Sequence, residues 1–187
     1  MANRNTQGFG LIAAGTLGQT PATSGQGKYK IDAGSTTTLY NGAAVASASG
    51  YIVDGQTTDA PILGVLNGIF FNAATTLKPT FSNFYKQPIT PANSEDIDAF
   101  VFDNPQQQYV VATDDSVAQS GYLETYDMNT SAGDDITGKS SATLDIGDTS
   151  ADAASFRLLR SAEDPENDEN AAFRSVVVCI NLIELQS

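Results

Sequence analysis

The chain has no histidine, no tryptophan and one cysteine among 187 residues. Without histidine, the commonest general base and metal ligand is gone. A Ser-His-Asp or Cys-His device is therefore excluded. With a single cysteine no intrachain disulfide forms, so packing or oligomerisation must hold the fold. Basic residues are scarce, 9 Lys+Arg against 22 Asp+Glu, for a formal charge of −13. That balance repels phosphate backbones and anionic lipid, so no direct nucleic-acid or membrane partner is expected. No apolar run approaches the roughly 20 residues of a membrane span. The run Phe9–Ala14 is too short for a signal-peptide core. Synthesis in a cytoplasm is the expectation, and a free Cys179 suits that compartment. The sequence predicts no enzyme and no cofactor.

What is present is a β-prone chain. Hydrophobic residues make up 41% and charged residues 17%, which excludes a disordered chain. Short apolar runs alternate with turn dipeptides. Thr36–Tyr40 runs into Asn41-Gly42, and Ala43–Ala46 follows; this pattern predicts a hairpin. Ser49-Gly50 is a further turn dipeptide, and Tyr51–Val53 follows, closed by Asp54-Gly55. Pro61–Leu66 meets Asn67-Gly68, another turn signal, before Ile69–Phe71. Thr80–Lys86 is aromatic, and Pro79 and Pro88 confine it to an edge strand or loop. Ala99–Phe102 and Gln108–Ala112 flank Asp103-Asn104-Pro105, which predicts a second hairpin. Ser155–Arg160 alternates. Ser175–Ile183 is apolar on both faces for most of its length, so a central strand is expected there. The fold class is mainly β: small β-barrel or sandwich modules with an extended N-terminal arm. The expected divisions are an arm over 1–27, a first β-module over 28–90 and a second over 91–187.

Three segments carry possible chemistry. Gly133–Ser140 matches the P-loop pattern G-x-x-x-x-G-K-[ST]. That motif needs a buried strand before it and a helix after it, and neither flank fits. Asp134 and Asp135 would also face a polyphosphate. An acidic surface turn is the better reading, and no ATP binding is expected. Glu163–Glu169 is dense in carboxylates, but the EF-hand spacing fails, so a solvated turn outweighs a calcium loop. Cys179 lies inside the strongest strand and reads as a small buried hydrophobe. Arg157, Arg160 and Arg174 are expected to pair with local acids.

The arm carries Phe9, Leu11, Ile12 and Leu17 in a stretch that cannot build a core alone. Ordering it costs about 1–2 kcal/mol per residue, close to what its apolar groups return. It should be mobile in the free protein and order against a neighbour. Arg4, Phe9, Leu11 and Ile12 are the candidate contacts. Short strands without disulfides leave sheet edges to be covered, so a closed homo-oligomer, most simply a trimer, is expected.

The order of Lys28–Phe70, with Leu39-Tyr40-Asn41-Gly42-Ala43-Ala44-Val45 and then Ile62-Leu63-Gly64-Val65-Leu66, resembles the small β-rich decoration, or cement, proteins of tailed-phage capsids. The C-terminal half is similar to the second part of two-module cement proteins of marine phages. The similar stretches are Gln108–Ala112, Gly138–Ser140, Phe156–Leu159, Asp164–Asp168 and Val176–Asn181. The resemblance implies a structural virion protein on the outer capsid surface, partnered by the major capsid protein, commonly trimeric, and stabilising the shell against internal DNA pressure. The rival reading is a carbohydrate-binding β-module of a phage adhesin or secreted protein. Zero tryptophan counts against it, and Phe81, Phe84 and Tyr85 speak for it.

Overall fold

A computed structural model describes residues 3, 5–18, 25–56, 61–129, 132–147, 155–163, 165–168 and 170–186. The fold is mainly β, with two antiparallel sheets in a sandwich-like arrangement and no closed barrel. The strands are β1 (Ile12–Thr16), β2 (Gly27–Ile31), β3 (Ala44–Ala48), β4 (Tyr51–Asp54), β5 (Gly64–Asn72), β6 (Pro79–Ser82), β7 (Ile97–Phe102), β8 (Gln107–Ala112), β9 (Thr125–Tyr126), β10 (Phe156–Ser161) and β11 (Ser175–Ile180). The first sheet has the order β1-β8-β11-β10-β9. The second has the order β2-β7-β5-β3-β4, with β6 added to β5.

β11 is central, and all six of its residues are buried. Its continuous Val-Val-Val-Cys-Ile run explains this, because a strand covered on both faces has no need to alternate. β7 does alternate, with Ile97, Ala99 and Val101 buried and Asp98, Phe100 and Phe102 half-buried. The second sheet curls until β2 and β4, at opposite ends of its order, run close together. Ile31, Ile52, Ile69, Ile97 and Val101 fill its concave side. Ala44, Ile62 and Val65 of that half pack instead with Tyr109, Val111, Phe156, Leu158 and Val178 of the first sheet. The end of the chain locks the halves together. Ile62 pairs with Ile183, and the Ser47 amide donates to the Glu184 carboxylate at 2.7 Å.

Two turn signals behave differently from expectation. Asn67-Gly68 lies inside β5, at a register shift between Leu66 and Gly68 where β5 meets β7. A bulge absorbs the Asn-Gly pair within a strand held by β6 and β7, and the Phe81 ring lies over Gly68, where a Cβ would come within 2.7 Å of Cζ. Asn41-Gly42 joins no hairpin either. Asn41 bridges to Lys139 in parallel, and the Gly42 carbonyl accepts from the Leu11 amide at 2.8 Å. Long-range partners outbid the local turn there. Ser49-Gly50 is the two-residue hairpin, joining β3 to β4 with both residues at positive φ. The hairpin expected at residues 103–105 is a corner: β7 and β8 enter different sheets, and the Tyr109 hydroxyl donates across it to the Phe102 carbonyl at 3.0 Å.

Sheet membership does not follow the expected divisions at 27 and 90. β7 lies beyond residue 90 yet sits between β2 and β5, and β1 lies before residue 28 yet edges the first sheet. The N-terminal segment is extended, but its described residues are packed into the chain's own fold rather than left for a neighbour to order. The Gly10 and Leu11 amides donate to the Ala142 and Gly42 carbonyls, and β1 pairs with β8. The terms taken to cancel miss these backbone bonds and the groove they occupy.

Candidate functional site

The N-terminal segment is where a partner contact was expected. Arg4 lies outside the described residues. Leu11 is 3% exposed and belongs to the main core, so it serves folding and not a partner. Phe9 is half-buried. Ile12 is 52% and Leu17 44% exposed. Among the described residues β1 pairs with β8 alone, so it is a sheet edge with an outward isoleucine. Two asparagines fix this edge. The buried Asn3 amide donates to the carbonyls of Ala172 at 2.9 Å and of Asp168 and Ala171 at 3.3 Å, and Asn3 accepts from the Asp168 amide. Asn5 donates to the Ser175 hydroxyl at 3.0 Å. Nothing in a polar N-terminal composition marks these two asparagines; Asn3 finds its partners at Asp168, Ala171 and Ala172, and Asn5 at the start of β11.

Gly133–Ser140 is a hairpin turn, with Gly133 and Ser140 paired antiparallel. The Ile136 amide and the Thr137 hydroxyl donate to the two oxygens of Asp134, at 2.8 and 3.0 Å. The Ile136 amide is the leading cause of an Asp134 carboxyl held below its ordinary value. A P-loop aims such amides at phosphate; here an aspartate of the same turn takes one. Asp135 accepts from Lys86 at 2.9 Å and from the Tyr40 hydroxyl at 2.8 Å, and both lower its pKa, Lys86 the more. Tyr40 in turn stacks on Phe84 with centroids 5.8 Å apart. At the tip, Ile136 is 94% exposed.

The third surface is the convex side of the second sheet. Register places Phe81, Phe70, Asp98 and Lys30 in one row across β6, β5, β7 and β2, with Gly68, Phe100 and Lys28 in the next. Lys28 and Lys30 hold the two oxygens of Asp98 at 2.7 and 2.6 Å. Burial pushes that carboxyl up, but the two lysines outweigh it and keep its pKa below the ordinary value. Phe81 is exposed and tilts against Phe100 at 6.5 Å. Of the aromatic residues that speak for a sugar platform, Tyr85 is removed: it is buried, and its hydroxyl donates to the Ser35 carbonyl at 2.8 Å. No linear spacing marks Asp98 or Phe100 as part of a site, because only strand order brings them beside Lys28 and Phe81.

The remaining candidates are structural. Cys179 is buried, and burial raises its thiol pKa, against nucleophilic use. Arg157 donates to the Leu123 carbonyl at 2.7 Å and to the Asn181 side chain at 3.1 Å, and Arg160 reaches the Gln108 side chain, where acids were expected. Arg174 is buried, with its guanidinium 5.6 Å from the Tyr122 ring centre. In the acidic loop, Asn167 binds Ser161 and both backbone groups of Ser175, and Asp164 and Glu169 lie outside the described residues. Among the described residues no three His, Cys, Asp or Glu are grouped as metal ligands. What the arrangement offers chemically is surface: an apolar edge, an acidic knob and an aromatic–charged face. Compared with family models, curated proteins and solved structures, the chain finds no match.

Proposed function

We propose that this chain is a structural virion protein that binds the outer surface of a tailed-phage capsid and stabilises it. The major capsid protein is the partner, and the capsid-bound form is a trimer. The observation that carries the proposal is the β1 edge. Leu11 anchors the segment in the core, while Ile12 and Leu17 are exposed on and beside β1, which among the described residues pairs with β8 alone. Such an edge docks by adding main-chain hydrogen bonds to a neighbour's sheet, with outward side chains filling its pockets. The resemblance to cement proteins supplies the class of neighbour. A core-anchored edge also enters the complex already ordered, which removes the entropy cost a free arm would bring.

Cosedimentation with empty capsids tests this. Ile12→Glu and Leu17→Glu together are expected to weaken decoration at least tenfold, about 1.4 kcal/mol, without lowering the melting temperature. Undiminished decoration would move the contact away from β1. No decoration by the parent chain would overturn the proposal, and particle averaging that finds isolated single copies would overturn the trimer.

A further inference from the structure

The convex face of the second sheet holds a cavity of about 270 Å³, lined by Lys30, Phe70, Asn72, Glu95, Asp96 and Asp98 among others. One register step along β5 and β7, about 7 Å at a strand's rise per residue, lie Gly68 and Phe100, with the exposed Phe81 ring leaning over them. The face therefore combines a polar hollow with an aromatic shelf beside it.

The polar groups of the hollow are partly committed. Asp98 is held by two lysines, and Asp96 accepts from the Tyr51 hydroxyl at 3.1 Å. Asn72 also lines the hollow, and its side-chain amide brings two donors and an acceptor to it. A bare cation suits this poorly: the Asp98 oxygens already face ammonium groups, and among the described residues no three acidic groups are placed so that they could hold a metal ion. An anionic ligand suits it no better, since three carboxylates line the hollow against Lys30, with Lys28 beside it. A ligand carrying many hydroxyls and no negative charge matches both halves. Its hydroxyls pair with carboxylate, amide and ammonium, and its C–H face covers a phenyl ring.

We infer that this face binds neutral or amino-sugar glycans, one ring seated in the hollow and the next lying on Phe81 and Phe100. The site is on the opposite sheet from the β1 edge, so it goes beyond capsid docking and does not depend on it.

The test uses the full-length chain on an array of neutral, amino, sialylated and sulfated glycans. It is followed by calorimetric titration with cellotriose, maltotriose and the N-acetylglucosamine trimer. At least one neutral or amino glycan is expected to be retained, with acidic glycans excluded and chelator without effect. Phe81→Ala and Asn72→Ala should each weaken that binding at least tenfold at an unchanged melting temperature. Both variants should still cosediment with capsids, which separates this site from the docking edge. Retention of no neutral or amino glycan, retention of acidic glycans alone, abolition by chelator, or undiminished binding in both variants would each overturn the inference.

Discussion

The two sheets treat their strands differently. The first buries β11 on both faces, and what it leaves for contact is an edge. The second wraps one side around its own small core and turns the other, charged and aromatic, outward. Continuous apolar sequence thus gives a central strand covered on both faces, and alternating sequence a strand with one face left outward. The halves still share one interior, because Ala44, Ile62 and Val65 pack with Phe156 and Val178.

The comparison breaks hardest at that shared interior. Phe156→Ala removes a fully buried ring and should cost about 3–5 kcal/mol. Ile97→Ala, inside the second sheet's own core, should cost about 2–5 kcal/mol. A single calorimetric transition is expected in the parent and in both variants, with Phe156→Ala lowering it most. Two separable transitions would show that the sheets are independent units.

Next comes the pair of neighbours Leu11 and Ile12. Leu11→Ala should cost about 2–5 kcal/mol and loosen β1 from β8. Ile12→Ala, half exposed, should stay within about 0.5 kcal/mol. Urea unfolding measures both, and equal effects would mean that the edge is not anchored as described. A smaller contrast lies between two glycines at positive φ. Gly50→Ala meets open space and should cost about 1–2 kcal/mol in backbone strain. Gly138→Ala carries the same strain and would also put its Cβ 2.3 Å from Phe84 Cδ1. It should cost about 2–3 kcal/mol as the ring leaves its stack on Tyr40. Thermal melts of the pair should rank Gly138→Ala as the more damaging.

How much of this was legible follows from what each residue's partner is. β11 was readable as central because its own composition carries the signal, and Ser49-Gly50 was readable because a two-residue turn is closed by its neighbours. Asn67-Gly68 does not turn because β5 runs on through it to pair with β6 and β7, partners eleven or more residues away. β7 and β8 look like a hairpin until their partners β5 and β11 are known. The site divides in the same way. Ile12 and Leu17 were visible as apolar residues in a polar stretch. Burial of Leu11 was hidden, because the groove that receives it is built by Gly42 and Ala142. The charged face was hidden entirely, being an across-strand row that no linear spacing displays.

The smallest effect concerns that face and its pH dependence. Burial alone would raise the Asp98 carboxyl, and Lys28 and Lys30 more than reverse it. Because the folded value lies below the ordinary one, the stabilisation is present above the ordinary carboxylate range, near pH 4. It fades as the pH falls through the lower folded value. Both lysines are half exposed, so solvent screening keeps the contribution to about 1 kcal/mol or less. With many other carboxylates titrating nearby, a bulk acid melt would not isolate it. Carboxyl-carbon NMR of Asp98 would. In the parent chain its midpoint should sit below the ordinary aspartate value. In Lys28→Met/Lys30→Met the burial is left unopposed, and the midpoint should rise to that value or above. The first sheet's Phe156 and Val178 resonances should not change between the two proteins. An Asp98 midpoint that stays low without the lysines would show that they do not hold the carboxylate.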